Sequence, residues 1–239
     1  MRVLVTPDYR TLSSTAAEFV IDAFRSKPDL VLGLPAGRTP LGMYAELIKA
    51  YRDQQLDFSR LRTFNLDEYL GLAKNHPNSY HTSMHRHFFD HINLSPENIH
   101  IPDGSPGTDP QVESKRYEDA IRDVGGIDLL IMGIGANGHI AFNEPGSSFD
   151  SRTRAVDLAP ETIANARQDF VGEAVPTRAI TMGIGTMLEA RRILLLASGA
   201  SKAHAVERTL RGPAGDAFPA SALQQHPKVV AIIDEAATL

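Results

Sequence analysis

A histidine and a carboxylate stand five residues apart in the glycine-rich stretch GIGANGHIAFNEP at 133–145: His139 and Glu144. An imidazole moves protons near neutral pH, and a glutamate beside it can hold its tautomer or share the proton work. Gly133, Gly135 and Gly138 let the backbone take positive φ and come close to a ligand. The stretch follows a strand-like apolar run at 127–132, and open α/β sheets seat their ligands at the carboxyl ends of strands. A proton-transfer loop is therefore favoured over a solvated turn. A second loop has the same setting. Residues 33–40 (GLPAGRTP) follow an apolar run at 30–32 and precede helical spacing at 41–48. Thr39 is expected to cap that helix, with Pro40 at its first position. Strand, small-residue turn and helix start together make an anion site of free amides. The loop lacks the Gly-Lys-Ser/Thr ending of a nucleotide loop and the spacing of a dinucleotide fingerprint, which argues against a nucleoside triphosphate or NAD.

A third candidate is the segment 63–69 (TFNLDEY), where Asp67 and Glu68 end a probable strand. Adjacent acids are ordinarily a solvated face. At a strand end, however, one carboxylate can face the ligand crevice and act as a base toward a carbon acid. Five histidines lie between 76 and 91, and His81 and His85 have the i,i+4 spacing of some metal sites. No third ligand follows at a recognisable interval, so they are read as helix-surface residues and no metal site is expected.

These loops need a scaffold, and short apolar runs alternating with amphipathic helical patterns supply one. Strands are expected at 2–6, 29–33, 61–65, 127–132, 178–182, 192–198 and 228–233. Helices are expected at 12–25, 40–52, 79–90, 111–123, 184–190 and 200–211. The alternation predicts right-handed crossovers and an open, mostly parallel, doubly wound sheet with helices on both faces. The 239 residues fit a single domain, 1–239. The polar stretch at about 150–177 breaks the rhythm, as a flap inserted over a site would. A net charge of −5 argues against a general nucleic-acid binder and leaves an anionic substrate to a local basic pocket. The absence of cysteine excludes disulfides, thiol catalysis and thiolate metal sites. No apolar run approaches the roughly 18 residues of a membrane span, and the first residues lack a signal-peptide core, so a cytoplasmic protein is expected.

Together the three loops resemble the glucosamine-6-phosphate deaminases, and the likeness runs over essentially the whole chain. It is carried by 32–40, 64–72 (FNLDEYLGL), 76–91 (HPNSYHTSMHRHFFDH), 133–145, 151–154 (SRTR), 198–202 (SGASK) and 225–228 (QHPK). The 6-phosphogluconolactonases share the fold and a similar glycine-histidine turn, but the continuation Phe142, Asn143, Glu144, Pro145 is of the deaminase kind. The resemblance implies a Rossmann-like fold and an enzyme of amino sugar (N-acetylglucosamine) catabolism. Its partner would be a small amino sugar phosphate, glucosamine 6-phosphate, converted with water to fructose 6-phosphate and ammonia without a cofactor, and with no nucleic acid or membrane involved. His139 would open the pyranose ring, oriented by Glu144 and Asn137. Asp67 would move the proton from carbon 2 to carbon 1. Amides of Ala36, Gly37, Arg38 and Thr39, with Arg167 and Lys202, would hold the phosphate, and about 157–177 would form a lid.

Three positions depart from the family pattern. Asn137 stands where many members have Asp; Arg38 replaces a small residue in the phosphate loop. Regulated hexameric members have a longer C-terminal tail and a lysine two residues beyond the arginine of SRTR, where this chain has Val156. An unregulated monomer is expected, with a homo-oligomer left open, as is preference between glucosamine and galactosamine epimers. Two other functions compete. A phosphogluconolactone hydrolase would leave FNLDEY without a role, and a sugar-phosphate sensor of transcriptional regulators would need a DNA-binding module for which no residues remain.

Overall fold

A computed structural model describes residues 1–239. Seven strands form one parallel sheet: β1 (Arg2–Thr6), β2 (Val31–Leu34), β3 (Arg62–Asn65), β5 (Ile99–His100), β6 (Leu129–Met132), β9 (Ile193–Ala197) and β10 (Val229–Asp234). Their order is β1-β10-β9-β6-β2-β3-β5. Apolar residues point alternately to two cores, as the period of a strand requires. In β6, Leu129 and Ile131 face one core while Leu130 and Met132 face the other; in β9, Leu194 and Leu196 oppose Ile193 and Leu195. Helices α1 (Tyr9–Ser26), α2 (Leu41–Arg52) and α3 (Tyr80–His87) cover the first face. Helices α4 (Pro110–Asp123), α6 (Ile184–Leu188) and α7 (Ala203–Arg211) cover the second. The doubly wound architecture expected from the sequence is the one observed.

Strand order explains why distant loops meet. Strands β6, β2 and β3 are consecutive neighbours and run parallel, so their carboxyl ends lie on one edge of the sheet. The loops at 133–145 and 35–40, and the residues after Asn65, therefore emerge side by side.

The sequence reading needs one correction in topology. Residues 178–182 were expected in the main sheet. Instead β8 (Arg178–Thr181) is the middle strand of a separate antiparallel sheet, between β4 (Asp67–Tyr69) and β7 (Arg154–Asp157). Neither β4, β5 nor β7 was anticipated; at two to four residues each they carry no readable alternation. The small sheet positions the site: Asp67 pairs with Thr181 in β8, while β7 and β8 hold the two ends of the segment 157–177. That segment contains α5 (Pro160–Ala166) and closes a third apolar cluster, in which Leu158, Ala166 and Phe170 pack with Tyr69, Phe142 and Ala179.

Candidate active site

The loop after β2 is braced from behind. Tyr44 on α2 donates its hydroxyl to Pro35 O at 2.7 Å. Tyr9 on α1 donates to Thr39 O at 3.0 Å and accepts from the Gly42 amide at 2.9 Å. Gly42 must lack a side chain, because a Cβ there would lie 2.2 Å from Ser13 Oγ on α1. Thr39 does not cap α2 as expected: Pro40 occupies the cap position, no side chain caps the helix, and Tyr9 takes the Gly42 amide instead. The amides of residues 36–39 donate to no backbone carbonyl. Orphan donors at a helix start are suited to an anion.

The loop after β6 is shaped around the His139 ring. A Cβ at Gly135 would lie 2.3 Å from the imidazole. Gly138, at φ +86°, backs onto Phe218, whose ring lies 2.2 Å from where a Cβ would stand. Asn143 is fully buried and donates to Ile140 O and Met182 O at 3.0 and 2.8 Å, while Arg154 donates to its Oδ1 at 2.9 Å. Asn137 contacts His139 and Glu144 differently from the sequence expectation. Its Oδ1 accepts from the His139 backbone amide at 3.1 Å and its Nδ2 donates to Glu144 Oε2 at 3.0 Å, so it holds the loop and the carboxylate rather than the ring. A carboxylate at 137 could not make the second bond. His139 Nδ1 is buried, makes no hydrogen bond, and faces Glu144 Oε2 at 3.5 Å. The other Glu144 oxygen accepts a hydrogen bond from Thr162 on α5. Burial alone would raise the Glu144 pKa, but His139, Thr162 and Asn137 outweigh it and hold it down at about 2.

Asp67 has the opposite environment. It is buried at the start of β4, and desolvation, then the neighbouring charge of Glu68, push its carboxyl up to about 8. Glu68 is buried too, and its pKa is raised to about 7 by desolvation. Its oxygens nevertheless accept three backbone amides, from Tyr69 at 2.8 Å, Tyr80 at 2.9 Å and His81 at 2.8 Å, which anchors the start of α3.

These parts surround one pocket of about 180 Å³. Ala36, Gly37 and Thr39 form one wall, Asp67 and His139 face the interior, and Tyr80, Leu66, Ile134 and Phe142 contribute apolar surface. Asn137 and Glu144 stand behind His139. Arg38 turns away from this pocket and pairs with Asp169 at 2.7 Å. Arg167 is exposed at the end of α5, and Lys202 is half-buried in the turn before α7; neither lines the pocket wall. Burial lowers the Lys202 pKa, and Glu161 on α5 opposes that effect. His81 and His85 stack on α3 with ring centroids 4.6 Å apart, and His85 contacts Asp90 at 2.8 Å.

Comparison with known proteins gives this arrangement a family. Residues 9–231 match the model of the glucosamine-6-phosphate isomerases/6-phosphogluconolactonase family. The chain belongs to that family. A glucosamine-6-phosphate deaminase of Thermoanaerobacter pseudethanolicus is 49% identical over all of this chain and 95% of its own length. Glucosamine-6-phosphate deaminase 2 of Bacillus subtilis is 50% identical, covering 98% of this chain and 95% of its own. Among solved structures, a monomeric glucosamine-6-phosphate deaminase superposes with a TM-score of 0.95 at 46% identity, over 99% of this chain and 98% of the other. The 6-phosphogluconolactonase of Trypanosoma cruzi shares the fold at a TM-score of 0.81 and 18% identity, over 99% and 95% of the two chains.

Within the family fold, Tyr80 and Thr162 escape the sequence reading, and Glu68 has a further role it does not show. Tyr80 lines the pocket, stacked on Phe142 with centroids 5.9 Å apart, and is set in place by Glu68. The serine cap at Ser79 marks the start of its helix, but nothing in sequence aims the ring. Glu68, one of the two adjacent acids, anchors the start of α3 and also raises the Asp67 pKa by its charge. Thr162 lies 18 residues from Glu144, with no motif to connect them.

Proposed function

We propose that the protein deaminates glucosamine 6-phosphate, with water, to fructose 6-phosphate and ammonia, in amino sugar breakdown. The observation that carries this reading is the pocket itself, where a carboxyl of raised basicity and an imidazole face the same space beneath a loop of free amides. The likeness to deaminases over the full chain supports it. His139 shuttles a proton from the anomeric hydroxyl to the ring oxygen as the C1–O5 bond breaks, and ionised Glu144 stabilises the imidazolium formed on the way. Asp67 then takes the carbon-2 proton and returns it at carbon 1. Removal of that proton leaves an enolamine, its return at carbon 1 makes the imine at carbon 2, and water adds to that carbon as ammonia leaves. Deprotonating carbon is slow for an ordinary carboxylate, and raised basicity narrows the gap. A lactone hydrolase has no use for such a base, which disfavours that chemistry for this chain.

The amides of Ala36, Gly37, Arg38 and Thr39 bind the phosphate. Arg167 and Lys202 supply its cationic partners once segment 157–177, acting as a lid over a single domain, adjusts to substrate. No cofactor has a role in this scheme. The similar solved chain is described as monomeric, and the same state is inferred for this one. Val156 offers no charge to an effector phosphate beside Arg154, so activation by N-acetylglucosamine 6-phosphate is not expected.

A coupled assay for ammonia and fructose 6-phosphate, run with the glucosamine and galactosamine epimers, tests the function. Stoichiometric release of both products from either epimer supports deamination. Hydrolysis of phosphogluconolactone without ammonia release from any amino sugar phosphate refutes it.

A further inference from the structure

Two donors fix the Glu144 carboxylate, and they come from different parts of the chain. Asn137, on Oε2, belongs to the same loop as His139. Thr162, on Oε1, belongs to α5 in segment 157–177 and is itself buried. The segment is fastened along its far edge by contacts that do not touch the reactive groups. Asp169 pairs with Arg38 at 2.7 Å, and Glu173 meets His76 at 3.0 Å and Asn78 at 2.9 Å. Those exposed pairs contribute little individually. Thr162 is different, because its hydroxyl is the contact from this segment to the His139–Glu144 pair.

We propose that Thr162 is a positioning residue: when segment 157–177 closes, its hydroxyl fixes the Glu144 carboxylate in the orientation that serves His139. With donors on both oxygens the carboxylate cannot rotate, and Oε2 stays directed at the buried, otherwise unpartnered Nδ1 of His139. Without Thr162, one oxygen loses its only protein donor and the group turns about its Cγ–Cδ bond. Closure and ring opening are thereby coupled: the proton-shuttling pair is fully set only when α5 lies over the site. This inference rests on the ring-opening role of His139 and Glu144 proposed above.

The test compares wild type with Thr162→Val and Thr162→Ser. A hydrogen bond to a charged group is worth enough to change a rate by about tenfold or more. Thr162→Val is expected to lower kcat on glucosamine 6-phosphate by at least about tenfold. Its Kd for an acyclic 2-amino-2-deoxyhexitol 6-phosphate, which has no ring to open, should stay within about threefold of wild type. Thr162→Ser, which retains the hydroxyl, should recover most of the turnover. Thermal melting checks each variant, and Thr162→Ala supplies the same deletion if Val disturbs α5. Unchanged turnover in Thr162→Val overturns the proposal. So does a loss of hexitol phosphate affinity as large as the loss of turnover, which would make Thr162 a latch of the segment. A wild-type protein that releases no ammonia from the amino sugar phosphate is a different failure, that of the proposed reaction.

Discussion

Asp67 and Glu144 are both partly desolvated carboxyls of the same site, yet the fold drives them to opposite ends of the carboxylate range. Glu144 receives a donor on each oxygen, Asn137 from its own loop and Thr162 from α5, and is held at about 2. Asp67 sits at the start of a strand, where burial is not offset by hydrogen bonds and the charge of Glu68 adds to the effect, taking it to about 8. Burial raises both; the supply of donors decides the outcome. The difference separates two roles. A permanently ionised Glu144 suits the support of an imidazolium, whereas a reluctant carboxylate such as Asp67 is a stronger base toward carbon. Pairs of titratable groups pushed apart in this way are a common mark of acid–base sites.

The contrast can be broken from either side. The largest effect is expected from Asp67→Asn, which should lower turnover by about 10²–10⁴-fold, since it removes the one carboxyl that lines the pocket. Ammonia release measures it, and a variant keeping more than about a tenth of wild-type turnover would remove Asp67 from the chemistry. Glu144→Gln should cost less, about ten- to a hundredfold in kcat, because it removes one charge-assisted contact to His139 and leaves the imidazole in place. An equal or greater loss than at Asp67 would reverse the ranking of the two groups.

The pH dependence should be gentler and informative in sign. As the proposed base Asp67 acts as its anion, so kcat/KM should fall as pH drops below about 8 in the free enzyme. Glu68→Gln removes the like charge and should move this limb to lower pH; a shift to higher pH would mean that Glu68 does not act through its charge. The smallest effect is on stability. Between the ordinary carboxylate range and about 8, the folded state keeps on Asp67 a proton that the unfolded chain has lost, so this group makes the fold less stable as pH rises through that window. Asp67→Asn should therefore melt above wild type at pH 8, by about 2–4 °C per kcal/mol relieved, with the gap closing toward pH 4. A lower melting temperature at pH 8 would contradict the burial cost assigned to Asp67.

How far the sequence shows this site depends on how local each cause is. The order of strands and helices was legible because Leu129 to Met132 and Ile193 to Ala197 are continuous apolar runs, while α1 and α2 have helical spacing. His139, Asp67 and the loop at 36–39 were legible because glycines and strand ends mark them. Thr162 and Tyr80 were not, since their contacts depend on how α5 and α3 dock. Arg38 was visible as an unusual cation, but its partner Asp169 lies 131 residues away and no local pattern links them. Asn137 was assigned to the ring of His139, whereas its bond goes to the backbone amide; side-chain direction within a tight turn is a three-dimensional property.

The central claim is that Asp67 is the base that moves hydrogen from carbon 2. The most direct measurement follows glucosamine 6-phosphate deuterated at carbon 2, in ordinary water, with wild type and Asp67→Asn at equal occupancy of substrate. Wild type should show a primary isotope effect or loss of label to solvent. Asp67→Asn should bind the sugar phosphate within about threefold of wild type and leave the label in place. Label lost from carbon 2 at the wild-type rate in Asp67→Asn would contradict the assignment.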